Sequence, residues 1–305
     1  MSESGKRPRM AAIGMFDGVH LGHQWLLSGL NATAAFNGYE PMIVTFDRHP
    51  LSMIASDRAP KLLMTPTERF RTLRSKLGLV AVVDFTDEIR RMTAREFMIM
   101  LRDRYGVKAI YMGFNHRFGS DRLQEVDEYK AVAAGLGMEI FDGTEQMVHG
   151  EKVSSSIIRE LIAAGDVEKA AECLERPYRI MGYVEQGKQL GRTIGFPTAN
   201  LHPDDDRQLI PGNGVYECRA INADGKEYKA MVNIGVRPTV DDSGRVTIEA
   251  HLLDFSGDLY GRVLTLDFLR RIRDEHHFGS AEELRKQLVK DAESIRGVTS
   301  AGRKP

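Results

Sequence analysis

The sequence predicts a chain in two parts, an α/β unit followed by an all-β unit, and three observations carry that expectation. Short apolar runs alternate with amphipathic stretches as far as about residue 176. Beyond it, β-rich runs follow one another without long helices, and glycines become dense where the pattern changes. A chain of 305 residues is long enough to bury two separate cores.

In chain order, MAAIGMF (10 to 16), PMIVTFD (41 to 47), LVAVVDF (79 to 85), VKAIYMGF (107 to 114) and GMEIFD (137 to 142) read as strands. Each is short, apolar or β-branched, and bounded by Gly, Pro or Asp. Helices with start signals lie between them. Thr65-Pro66-Thr67-Glu68 and Thr93-Ala94-Arg95-Glu96 both have capping-box spacing, the first with proline at the opening helical position. From Thr93 to Tyr105, Phe97, Ile99, Met100 and Leu101 trace one side of a helix. Strands alternating with helices predict parallel βαβ units with helices on both faces, and such sheets bind ligands beyond the carboxyl ends of their strands.

After Arg176-Pro177-Tyr178 come YRIMGYVEQG, GVYECRAIN, EYKAMVNIGV, RVTIEAHLLDF and RVLTLDFLRRIR, with turn signals at Ala223-Asp224-Gly225 and Asp242-Ser243-Gly244. These predict an antiparallel unit, sandwich or barrel, closed by a helix from Ser280, where Ser280-Ala281-Glu282-Glu283 again has capping-box spacing. The expected domains are 1–178 and 179–305, with no internal repeat between them.

Composition excludes several classes of protein. Lys and Arg total 42 against 43 for Asp and Glu, so no general basic footprint invites nucleic acid. Cys173 and Cys218 have no zinc-ligand spacing and read as reduced thiols, and no run approaches the ~20 apolar residues of a membrane span. The expectation is a cytoplasmic protein with no membrane or nucleic-acid partner, monomeric or weakly homo-oligomeric.

Chemistry concentrates at three places. Directly after the first strand, FDGVHLGHQWLL sets His20 and His23 three apart around Gly22. At a helix start both imidazoles share a face, close to free N–H groups and the positive dipole end, where an anion is favoured. The second place is GRTIGFPTAN (191 to 200), in which Thr198 and Asn200 project to one side of an extended segment after Pro197. Their neutral oxygens suit Mg²⁺ when a nucleotide supplies the negative charge, although Thr and Asn in a loop also satisfy backbone groups. Gly182 to Lys188 fits GxxxxGK, but Gln189 stands where a phosphate loop needs Ser or Thr. The third is VTIEAHLLDF, where Val246, Ile248, Ala250 and Leu252 take one face and leave Glu249 and His251 on the other.

The pattern Gly14-x-Phe16-Asp17-Gly18-Val19-His20-x-Gly22-His23 resembles the HxGH signature of the nucleotidyltransferase superfamily. With VTFDRHP (44 to 50), LMTPTERF (63 to 70), GFNHRFG (113 to 119) and VSSSIIREL (153 to 161), it resembles the adenylyltransferase half of bacterial bifunctional riboflavin kinase/FAD synthetases. That resemblance implies a Rossmann-like domain in which His20 and His23 bind ATP phosphates and stabilise charge as pyrophosphate leaves. It implies that Arg159, Ser154 and Ser155 add donors to the same phosphates, and that Gly14, Phe16, Gly22, His49 and Asn115 belong to the ATP and flavin site. The chain departs from the pattern at Ile157, where the family usually has Arg; at Asn115, often Asp; at His116, commonly Phe; and at Arg48, usually Pro.

GRTIGFPTANL, NIGVRPTV (233 to 240), TIEAHLLDFSGDLYG (247 to 261) and RIRDEHHF (271 to 278) are together similar to the riboflavin kinase domain, a small β-barrel. The resemblance implies Mg²⁺ on Thr198 and Asn200, Glu249 as the base for the 5′-hydroxyl of riboflavin, and Gly191, Arg192 and Gly195 in the ATP and flavin loop. Arg237 and Arg271 are further candidate contacts. The expected activity is bifunctional, riboflavin to FMN and FMN to FAD, with ATP as donor and Mg²⁺ as cofactor. A kinase with an inactive first domain and a non-catalytic flavin-binding regulator are the alternatives.

Overall fold

The computed structural model describes residues 7–54, 59–113, 116–143, 153–187, 191, 194–236 and 246–297. The chain divides into two compact units, Met1–Pro60 with Pro66–Ser154, and Lys61–Thr65 with Ser155–Pro305.

The first unit runs β1 (Arg9–Ile13), α1 (Leu21–Phe36), β2 (Glu40–Phe46), α2 (Leu51–Ile54), α3 (Pro66–Leu77), β3 (Val80–Val83), α4 (Asp87–Arg91), α5 (Ala94–Tyr105), β4 (Val107–Met112), α6 (Val126–Ala134) and β5 (Glu139–Asp142). Its sheet has the order β3-β2-β1-β4-β5, with every pair parallel. Chain order reverses between β1 and β4, so the carboxyl end of β1 is the switch point where such sheets hold ligands. β1 ends at Ile13, short of the expected residue 16, because Phe16 takes a φ of 52° that no strand continues.

Helix α5 begins with the predicted capping box, Thr93 Oγ1 accepting from Glu96 N and Glu96 Oε2 accepting from Thr93 N. Its buried side is Ala94, Phe97, Met98 and Leu101, so Met98 rather than Ile99 faces the core. Those residues pack with Ile13, Val44, Phe46 and Met112 of the strands and Tyr129 of α6 in one cluster. Arg69 of α3 is buried and donates from Nη2 to Phe46 O at 2.6 Å, holding the end of β2.

The second unit comprises α7 (Ser155–Ala164), α8 (Val167–Leu174), β6 (Tyr178–Glu185), β7 (Ala199–Pro203), β8 (Gly214–Asn222), β9 (Glu227–Val236), β10 (Val246–Leu252), β11 (Val263–Arg273) and α9 (Ala281–Gly297). Its six strands close into an antiparallel barrel, β10-β7-β6-β11-β8-β9, so the open choice between sandwich and barrel falls to the barrel. Closure depends on β7, the extended end of the PTAN segment, which bridges β6 and β10. Helices α7 and α8 belong by packing to this unit, with α8 lying on β6 and β11, so the compact units part at 154/155. Residues 61–65 join it as well, Leu62 bridging to Gln208.

Across β6, β11 and β8, Arg179, Asp267 and Arg219 lie in one row. Asp267 is 1% exposed; burial works to raise its pKa, yet the two guanidiniums, at 2.6 and 2.7 Å, hold the carboxyl below its usual range. The Asn222–Lys226 turn between β8 and β9 contains the predicted Ala223-Asp224-Gly225, with Asn222 Oδ1 accepting from Asp224 N and Lys226 N. The Asp242-Ser243-Gly244 turn lies outside the described residues. Helix α9 is capped by Ser280 Oγ on Glu283 N, but Glu283 reaches back to Gly279 N, one residue beyond a standard capping box.

Candidate active sites

The turn after β1 is built by three positive φ values within four residues, Phe16 at 52°, Gly18 at 82° and Val19 at 43°. Two of these are not glycine and cost about 1–3 kcal/mol each, a strain that persists only where surrounding structure imposes it. Phe16 is 2% exposed and its ring meets His23 edge-on at 5.3 Å. Gly14 makes room for that ring, since a Cβ there would sit 3.2 Å from it.

His20 is the N-cap of α1, and its side chain does not cap the helix. His20 and His23 stack with centroids 3.7 Å apart and planes 23° from parallel. A Cβ at Gly22 would lie 3.2 Å from both the His20 ring and Val153 O, so glycine permits this close approach. Stacked imidazoles at a helix N-terminus, at the carboxyl end of a parallel strand, are an arrangement that suits an anion.

The first unit also contains a cavity of about 460 Å³ lined by Gly14, Met15, Phe46, Phe85, His116 and Phe118 among others. Phe46 and Phe85 meet edge-on at 5.4 Å. Burial, with Arg117 adding to it, lowers His116 to about 4, so its imidazole is neutral near pH 7. Gly14 and His116 are the residues of this wall that the sequence singles out; the phenylalanines are not, and their one signal is that Phe46 and Phe85 end strand-like runs. His49 does not line the cavity: its Nδ1 accepts from Leu51 N at 3.2 Å, at the start of α2. Arg48 pairs with Asp47 at 2.7 Å.

Ser155, Ile157 and Arg159 lie on α7, which belongs to the second unit, and Ser154 directly precedes it. Arg159 Nε donates to Lys61 O at 2.7 Å, and Ile157 is 38% exposed. Asn115, Arg192 and Arg237, and Lys188 and Gln189 of the GxxxxGK stretch, lie outside the described residues.

In the second unit, β10 alternates as predicted, with Ile248, Ala250 and Leu252 buried and Glu249 and His251 on the other face. Register places Asn200 of β7 directly opposite Glu249 on one side and Asn233 of β9 opposite it on the other. Residues opposite one another across a ladder share a face, so Asn200, Glu249 and Asn233 form one polar row. Thr198, two residues before Asn200, is on the same side, with buried Ala199 between them.

Over the Glu249 and Asn233 part of this row lies a cavity of about 580 Å³, lined by Thr198, Asn233, Glu249, His251, Arg273 and Phe278 among others, with Asn200 outside its lining. A second cavity, of about 350 Å³, is lined by Thr198, Phe255, Asp258 and Tyr260, so Thr198 stands where the two meet. The loop into this region turns at Gly191, whose carbonyl accepts from Phe196 N at 2.8 Å. A Cβ at Gly191 would stand 2.1 Å from Phe196 O, which excludes any other residue. Gly195 sits in the same turn with a φ of 82°.

His251 Nδ1 lies 2.8 Å from Pro197 O, and its ring is 5.1 Å from that of Phe196. Burial lowers its pKa, against the pull of that hydrogen bond. Arg271 Nη2 bonds to Asn213 O and pairs with Asp274 at 3.0 Å, a structural post that does not line either cavity.

Among the described residues no group of three or more His, Cys, Asp or Glu side chains could hold a metal alone. Thr198 and Asn200 offer the neutral oxygen donors that a hard cation accepts when phosphates complete its shell, and in that sense the donor set fits Mg²⁺.

Two family models match the chain, FAD synthetase over residues 2–157 and riboflavin kinase over residues 174–299. A bifunctional riboflavin kinase/FMN adenylyltransferase of Pseudomonas fluorescens is 34% identical over 292 residues, covering 95% of this chain and 93% of its own. The protein of that description from Escherichia coli (strain K12) is 35% identical over 293 residues, covering 95% and 93%. That from Bacillus subtilis (strain 168) is 34% identical over 293 residues, covering 93% and 91%. A crystal structure described as a macrolide-efflux protein from Streptococcus pneumoniae superposes with a TM-score of 0.84 at 31% identity, covering 97% of this chain and 96% of that one. Among the described residues of this chain, no helix is long and apolar enough to cross a membrane.

Proposed function

The chain belongs to the bifunctional riboflavin kinase/FMN adenylyltransferase family, and from that premise we propose which of its residues serve each reaction. The chain phosphorylates riboflavin with ATP, giving FMN and ADP, and adenylylates FMN with ATP, giving FAD and pyrophosphate. The functional boundary between the two halves is taken near residue 178, after α8.

For the kinase, riboflavin occupies the larger barrel cavity with its 5′-hydroxyl toward Glu249, and ATP occupies the smaller one. Thr198 belongs to both cavities, and that shared position is the observation that carries this reading. Thr198 and Asn200 would hold Mg²⁺, which when bound would neutralise phosphate charge. Glu249 accepts the hydroxyl proton, a modest duty because in phosphoryl transfer most of the acceleration comes from alignment and charge stabilisation. Arg192, Gly191 and Gly195 flank the phosphates.

For adenylyl transfer, His20 and His23 stabilise negative charge on the departing pyrophosphate, and the α1 amide end and Gly22 let the phosphate approach the backbone. Phe16 keeps His23 in place from the edge. The aromatic cavity behind Gly14 takes the flavin ring of FMN. Arg159, Ser154, Ser155, His49 and Asn115 supply further contacts to ATP or flavin phosphate. The proposal includes a cytoplasmic location, a monomer or weak homo-oligomer, and no nucleic-acid partner, in keeping with a formal net charge of -1.

Incubation with riboflavin, ATP and Mg²⁺, followed by chromatography, tests the assignment of both activities to this chain. FAD is expected. FMN alone would leave the first half inactive, and no product would reduce the protein to a flavin binder.

A further inference from the structure

Strand β10 presents two side chains to the barrel cavity, and the reading above uses only Glu249. His251, the next residue on that face, is half-buried and directs Nδ1 at Pro197 O, 2.8 Å away. A carbonyl oxygen can only accept, so Nδ1 carries the hydrogen and donates it. The bonded carbonyl belongs to the peptide unit joining Pro197 to Thr198. The proline ring fixes φ on one side of that unit, and the His251 hydrogen bond fixes its plane. Phe196 is held in turn by its own N–H on Gly191 O at 2.8 Å and by its ring against His251. Ala250 paired with Ala199 sets the register that brings His251 to this position.

We propose that His251 is a positioning residue for the kinase, its Nδ1–H holding the peptide ahead of Thr198 and so the direction in which that hydroxyl meets Mg²⁺. This rests on the assignment of Thr198 and Asn200 to the metal. A group outside the ligand shell that orients a metal ligand typically contributes 10- to 100-fold to metal affinity.

The test uses the full chain, with ADP in place of ATP so that nothing turns over. Riboflavin binding is read from its fluorescence as Mg²⁺ is titrated, and the Mg²⁺ midpoint is compared among variants. His251→Asn keeps an N–H close to the Nδ1 position, His251→Gln moves it to the Nε2 position, and His251→Phe keeps a ring with no donor.

The Phe and Gln variants are expected to raise the midpoint by ~10-fold or more. The Asn variant is expected to stay within about threefold of the parent, since it retains the bond. FAD formation from supplied FMN, measured in the same preparations, is expected to be unchanged and reports that the first unit is intact, while the riboflavin signal at saturating Mg²⁺, expected to equal the parent's, reports that the barrel is folded. A parental midpoint in His251→Phe would show that the ring only packs, and an Asn variant as impaired as Gln would show that the Nδ1 bond is not the cause. Thr198→Val separates the two layers of the argument. If it leaves the midpoint unmoved, the metal assignment itself is overturned; if it moves the midpoint while the His251 variants do not, only the positioning role is.

Discussion

In the first unit, His20 and His23 come together across the start of α1, stacked at 3.7 Å after a turn with three positive φ values. In the second, Asn200, Glu249 and Asn233 come together across three strands, none of whose residues has a positive φ. One site depends on a few consecutive residues under local strain, the other on pairings between residues tens of positions apart. Damage to the first is therefore expected to stay local. Damage to the second divides into loss of a chemical group, which leaves the barrel intact, and loss of alignment, which does not.

The largest expected effect tests the chemical side of that contrast. Glu249→Gln should lower riboflavin phosphorylation by roughly 10²- to 10⁴-fold while adenylylation of supplied FMN continues. Equal loss of both rates in a folded variant would remove the distinction between the sites. Next, His23→Ala should cut FAD formation by about 10²- to 10³-fold and let FMN accumulate. An FAD rate equal to the parent's would take His23 out of the reaction.

A third effect concerns stability and belongs to the first unit. His116 is lowered from 6.5 to about 4, so the folded unit resists taking up a proton that the unfolded chain accepts below pH 6.5. This contribution to stability is fully present above pH 6.5 and is lost as pH falls toward 4, by roughly 3 kcal/mol over the whole interval. Urea unfolding followed by Trp25, the one tryptophan, should show this slope in the parent and a flatter one in His116→Phe. Matching slopes would place the proton uptake elsewhere. The smallest effect is that of Thr93→Ala, which removes the α5 capping box and should cost about 1 kcal/mol by the same assay with both catalytic rates unchanged.

Much of this architecture is legible in the amino-acid sequence, for local reasons. The parallel unit shows as apolar runs between helix-start signals, the α5 cap as Thr93 three residues ahead of Glu96, and the face of Glu249 as simple alternation along β10. What the sequence hides depends on partners. The residues ANLHP look like the tail of a loop until β6 and β10 are known to flank them, and Phe46, Phe85 and Phe118 become one wall only when separate strands and loops converge. Helices α7 and α8 precede the β-rich region in sequence and still pack with it, because α8 covers β6 and β11. The bond from His251 to Pro197 spans 54 positions, and no spacing rule reaches that far.

The pairing of Asn200 with Glu249 also bears on how the protein recovers from denaturation. Shifting β7 by a single residue would turn Asn200 inward and bring Leu201 out, exchanging every side chain on that strand between interior and surface. A barrel closed in the wrong alignment can keep near-native secondary structure while the groups proposed to handle phosphate are scattered. Regained phosphorylation after refolding therefore counts correctly threaded molecules, where circular dichroism would count every closed barrel alike.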